Sequence, residues 1–208
     1  MKRKQQLYFD GIEKSLIFVE LSYQRLIDGL TDDSRDLHSR MPAVLLDCWV
    51  IIDLSKRLRA LLQHTPGLKQ NAVLKAFLAQ TACILDFRHY VQHMEEKTKG
   101  QATTGWPIWG TVSWPHLQDD GRILVHLYSP GRLSKCKNMQ LVNPLGREFA
   151  GPIDHVELAI DEDTRIGISD LVRSIQSLGR RFKLAVRNAE EDGERDENDM
   201  VRVEIPSL

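Results

Sequence analysis

The chain has 208 residues, enough to bury one sizeable core, and its 28 basic and 29 acidic side chains nearly cancel. That balance excludes a global field drawing the protein onto nucleic acid or an anionic membrane, so any RNA contact has to be local. The longest apolar stretches, such as Ala43 to Leu54, are interrupted by Asp47 and Asp53 and fall short of the roughly 20 residues that cross a bilayer, so no membrane span is expected.

Ile12, Leu16, Val19, Tyr23, Leu26, Ile27 and Leu30 recur at helical spacing and predict a first amphipathic helix over residues 7–30. The polar stretch from Thr31 to Ser39 leads to Met41-Pro42. Proline suits a first helical turn, so a second helix is expected from there through Leu62, ending before Pro66-Gly67. A third long helix is predicted from about Asn71 to Lys99, stopping at Gly100, with nothing inside it that breaks a helix. Beyond Gly100 the texture changes. Trp106, Trp109 and Trp114 alternate with proline, glycine and threonine, and Arg122 to Tyr128 is rich in β-formers after Asp119-Asp120-Gly121, which predicts a hairpin. Pro130 to Pro152 reads as loop or short strand, and His155 to Ile160 as a further strand. Ser169 looks like the cap of a fourth helix that carries Leu171, Ile175, Leu178 and Phe182 on one face and runs to about Ala189. Seven acidic residues follow between Glu190 and Asp199, a solvated connection before a terminal alternation from Met200 to Ile205.

These elements predict an α+β fold, a predominantly helical bundle with a small antiparallel β region and a further C-terminal helix. Its expected parts are a helical core over residues 1–100, a β-containing extension over 101–165, a helix over 166–189 packed on the bundle, and an acidic tail over 190–208. The basic start is followed by Asp10, Glu13 and Lys14 where a secretory signal needs an unbroken apolar core. Cys48, Cys83 and Cys136 are too scattered for a disulfide framework or a CxxC metal site. A cytoplasmic location with reduced thiols is the expectation.

The chemistry-bearing residues concentrate on the third helix, in Arg88-His89-Tyr90-Val91-Gln92-His93. At about 100° per residue, Arg88 and Gln92 share one stripe, His89 and His93 an adjacent one, and Glu96 lies near the second. An arginine, four intervening residues and a histidine, late in a helix of a helical array, resemble the RxxxxH motif of the HEPN superfamily. The wider resemblance covers about residues 5–99, including Asp47-Cys48-Trp49 to Asp53 and Lys56-Arg57-Leu58-Arg59 on the second helix.

What the resemblance implies is metal-independent RNA cleavage at the interface of a homodimer, with His93 as acid/base, Arg88 as phosphate clamp and no cofactor. Products would be a 2′,3′-cyclic phosphate and a 5′-hydroxyl. His89 or Gln92 would orient the phosphate, and Asp53 or Asp47 would fix a histidine tautomer. The residue types suit this chemistry, because an imidazole titrates near neutrality and a guanidinium presents a planar donor fork to phosphate. On one continuous helix Arg88 and His93 stand about 140° apart, which favours a site built from two facing helices. Many family members are toxins or phage-defence effectors, which implies an antitoxin or another protein partner.

Two other readings stand beside this one. His89, His93 and Glu96 have ligand-like spacing for a metal, but the pattern lacks the glutamate of HExxH, and no metal site is expected. A non-catalytic HEPN-like module binding RNA, a nucleotide or a protein is the alternative function. The tryptophan segment packs a small sheet onto a helix or forms a stacking platform for bases or a partner. Arg173 to Lys183 reads as a solvent face, and Cys136, between Lys135 and Lys137, carries no assigned role.

Overall fold

The computed structural model describes residues 3–32, 36–68, 71–117, 123–131 and 155–187. Its described elements run in the order α1 (Arg3–Thr31), α2 (Leu37–His64), α3 (Ala72–Gln80), α4 (Ile84–Gln92), α5 (Met94–Thr104), β1 (Thr111–Leu117), β2 (Ile123–Tyr128), β3 (Glu157–Ala159), β4 (Arg165–Gly167) and α6 (Ile168–Arg187). This is the helix-dominated α+β architecture that the periodicities predict.

The helices α1 and α2 form an antiparallel pair with one continuous apolar seam, burying Ile12, Val19 and Leu26 against Val44, Ile51 and Leu58. Small residues set the approach. A Cβ on Gly11 would stand 3.3 Å from Leu61, and one on Gly29 would stand 3.0 Å from Val44. The ion pair of Arg25 with the buried Asp47 ties the C-terminal part of α1 to the N-terminal half of α2. Burial also pushes the Cys48 thiol well above its ordinary range, so it behaves as a small core hydrophobe.

Helix α2 begins before the expected proline start. Asp36 accepts the Ser39 N–H at 3.2 Å and caps the helix at Leu37, leaving Pro42 inside it.

The uninterrupted third helix does not form. Its segment is divided into α3, α4 and α5. The first break has an identifiable cause on another helix. Buried Arg59 of α2 donates to the Leu78 carbonyl at 2.6 Å and to the Thr81 hydroxyl, while the Ala82 N–H turns to Ala79 O at 3.2 Å. The α-helical ladder is thereby diverted into i→i+3 bonds through Ile84 and Leu85. Burial lowers the Arg59 pKa, and the carbonyl end of α3 provides acceptors for its donors. At the second break, His93 leaves helical geometry at φ −115° and ψ 27°, its N–H shared between His89 O and Tyr90 O.

The strands form one antiparallel sheet in the order β2-β1-β3-β4. The β1–β2 hairpin matches expectation, and Trp114 stacks on its cross-strand partner His126 at 5.2 Å. The strand expected at residues 155–160 is β3. Its partner β4 was not anticipated; Asp161 organises the turn between them by accepting the Asp163 and Thr164 N–H groups.

Helix α6 returns to the bundle and packs on α1, with Phe9 and Phe182 edge-to-face at 5.1 Å. Ser169 is not its cap. It lies within the first turn, where its hydroxyl accepts the Val156 N–H at 2.9 Å and a hydrogen bond from Tyr23 at 3.1 Å, pinning helix, sheet and α1 together. The Arg173 guanidinium is exposed and pairs with Asp170. Cys136, the segment 132–154, the acidic run and the terminal alternation lie outside the described residues.

Gly110 shows where the loop before β1 tolerates no side chain. Its φ is +79°, and a Cβ there would meet the Ala159 carbonyl oxygen at 2.5 Å. Gly110→Ala is expected to destabilise the fold by at least about 1–2 kcal/mol from the left-handed backbone alone, with the clash adding to it. An unchanged urea midpoint would contradict this placement.

Candidate functional site

The motif residues lie on α4 and at its end, beside α2. Phe87 and Tyr90 anchor α4 in the core, which leaves Arg88, His89, Gln92 and His93 on its outer side. Trp49 of α2 stacks on Tyr90 at 6.3 Å and meets Phe87 at 6.0 Å, fixing the rotation of α4 against α2.

That rotation brings Arg88 to Asp53, Nε to Oδ1 at 3.4 Å, with both side chains one-third exposed. Arg57, one turn along α2, holds the other carboxylate oxygen at 2.6 Å, and this hydrogen bond raises the Arg57 pKa. Asp53 is therefore shared by two guanidinium groups. The expectation that Asp53 or Asp47 fixes a histidine tautomer needs changing at both positions: Asp53 faces arginines, and Asp47 faces Arg25 on α1.

The histidines form a separate exposed pair. The His89 and His93 rings lie 4.4 Å apart at 41°, and His93 Nδ1 stands 3.7 Å from Glu96 Oε2. Gln92, exposed at the end of α4, lies between them in sequence. Because the helix breaks at His93, the angular relation expected on one continuous helix does not apply. Arg88 and His93 are both accessible but take different partners. Among the described residues, no group of three or more His, Cys, Asp or Glu could hold a metal ion.

A pocket of about 290 Å³ opens beside Arg88, lined by Trp49, Val50, Ile52, Asp53, Leu54, Phe87, Arg88, Val91 and Trp109. Its outer wall is the loop before β1, held from two helices: Tyr90 Oη donates to Ile108 O at 2.7 Å, and Trp49 Nε1 donates to Trp109 O at 3.1 Å. Of the tryptophans beyond Gly100, Trp106 and Trp114 are buried, whereas Trp109 is 49 % exposed. Packing thus accounts for two of them and leaves the third at the pocket. Sequence reasoning did not single out Trp49, Phe87 or Arg57 for this site; the only local signal was the i, i+4 spacing of Asp53 and Arg57.

No protein-family model matches the chain, and no curated protein or solved structure is significantly similar to it. The chain is thus placed by its own architecture, a helix-dominated α+β fold with an exposed arginine–histidine cluster beside an aromatic pocket. No described helix is long and apolar enough to cross a membrane.

Proposed function

We propose that this protein is a metal-independent endoribonuclease of the HEPN type, acting as a homodimer in the cytoplasm. The observation that carries the reading is the accessible Arg88 held in place by Asp53, on the helix that ends at the accessible His93. An arginine with a fixed head is prepared for a phosphate, because less side-chain freedom remains to be lost on binding.

In the reaction, one imidazole removes the proton of a ribose 2′-hydroxyl, and O2′ attacks the adjacent phosphorus. The P–O5′ bond breaks, and a protonated imidazole returns a proton to the leaving oxygen. His93 takes one of these roles and His93 of the partner subunit takes the other, while His89 or Gln92 orients the phosphate. Arg88 stabilises charge on the non-bridging oxygens, and Gln92 supplies a further donor. The product ends are a 2′,3′-cyclic phosphate and a 5′-hydroxyl. Such an activity suits a toxin or a phage-defence effector restrained by an antitoxin or another protein partner.

A second reading has its own support. The Arg88–Asp53 ion pair partly neutralises the clamp, which favours a non-catalytic module that binds RNA, a nucleotide or a protein through the same surface. Cleavage separates the two. RNA cleavage by purified protein is expected to persist in excess chelator. Loss of activity there, with rescue by zinc or manganese, would contradict metal-independent chemistry.

A further inference from the structure

The pocket beside Arg88 has features that the cleavage chemistry leaves unused. Its aromatic walls come from Trp49, Phe87 and Trp109, and its polar lining includes the Arg88–Asp53 pair. At about 290 Å³ it lies at the small end of ligand pockets, suited to one flat ring system rather than an extended ligand. Trp109 is 49 % exposed, yet its backbone is fastened to α2 through Trp49, and its neighbour Ile108 to α4 through Tyr90. A large indole held in solvent by an anchored loop offers a preorganised stacking face.

We propose that this pocket is a nucleobase subsite that takes a purine of the RNA chain, its ring against Trp109 and its polar edge toward Arg88 and Asp53. A base edge presents donors beside acceptors. The guanidinium only donates and the ionised carboxylate only accepts, so the adjacent pair complements such an edge. Stacking is tolerant of base identity but grows with ring area, which favours purines over pyrimidines. Arg88 lines the pocket and is also the guanidinium that the cleavage reading uses as its clamp, so the subsite borders the proposed phosphate position. The inference rests on that reading for its ligand, an RNA chain, and adds base selection next to the cleaved phosphate.

The test titrates the full chain with adenosine and uridine 5′-monophosphates, using wild type, Trp109→Ala and Trp109→Phe, and assays RNA cleavage and oligomeric state on the same preparations. Wild type is expected to prefer the purine nucleotide. Trp109→Ala should weaken it about five- to a hundredfold, the range set by base–aromatic stacking, while Trp109→Phe retains part of the affinity. Purine-selective binding that depends on Trp109 supports the subsite even if no RNA is cleaved, and in that case only the nuclease reading fails. Cleavage without base preference, unaltered in both variants, overturns the subsite and leaves the nuclease reading standing. A Trp109→Ala variant that turns a dimer into monomers with nucleotide affinity unchanged also overturns it, because a second copy then covers the pocket.

Discussion

His93→Ala is expected to lower RNA cleavage by about 10²–10⁴-fold, the usual contribution of a positioned proton carrier. Arg88→Ala should cost about 10²–10³-fold, typical of removing one donor from a charge-stabilising site. The His93 side chain is 44 % exposed and that of Arg88 33 % exposed, so neither truncation opens a core cavity. Both variants should therefore keep the wild-type melting temperature to within a few degrees. Arg88→Ala also frees Asp53, which retains Arg57 as a partner, so no isolated carboxylate is left behind. Full cleavage by both stable variants would exclude the assignment. A melting temperature far below wild type, in protein that never cleaved RNA, would mark the cluster as structural.

Phe87→Ala should produce the largest loss of stability. Phe87 is fully buried, lies against Trp49 and immediately precedes Arg88, so its removal leaves a cavity between α2 and α4. Burial of this kind gives about 3–5 kcal/mol on truncation to alanine. Leu85, two residues earlier and 47 % exposed, serves as control, with an expected change within about 0.5 kcal/mol. Denaturant titration of the two variants measures the orientation of α4 directly. Equal losses would contradict the buried and exposed faces described above.

The contrast between these neighbours also marks how far the sequence reaches. Local periodicity predicted α1, the β1–β2 hairpin and the apolar face of α6, because each depends on the spacing of residues within one segment. The division of the third helix was hidden, since the group that diverts its ladder is Arg59, on a different helix. Its end at His93 carries no proline or glycine to announce it. The same limit applies to the site. The polar cluster from Arg88 to His93 is visible as a pattern, but which aspartate of α2 meets it depends on the rotation of α4, set by Trp49 against Phe87 and Tyr90. Spacing likewise cannot tell that Trp106 and Trp114 enter the interior while Trp109 stays outside. The cap expected of Ser169 illustrates the reverse error: a residue suited to a local role was recruited by the distant Tyr23 and Val156.

Analysis of RNA ends tests the central claim most directly. RNA incubated with the purified protein in excess chelator should yield fragments ending in 2′,3′-cyclic phosphate and beginning with 5′-hydroxyl, and these ends should disappear with His93→Ala. Fragments carrying 3′-hydroxyl and 5′-phosphate ends, or RNA left intact by the folded wild-type protein, would contradict it.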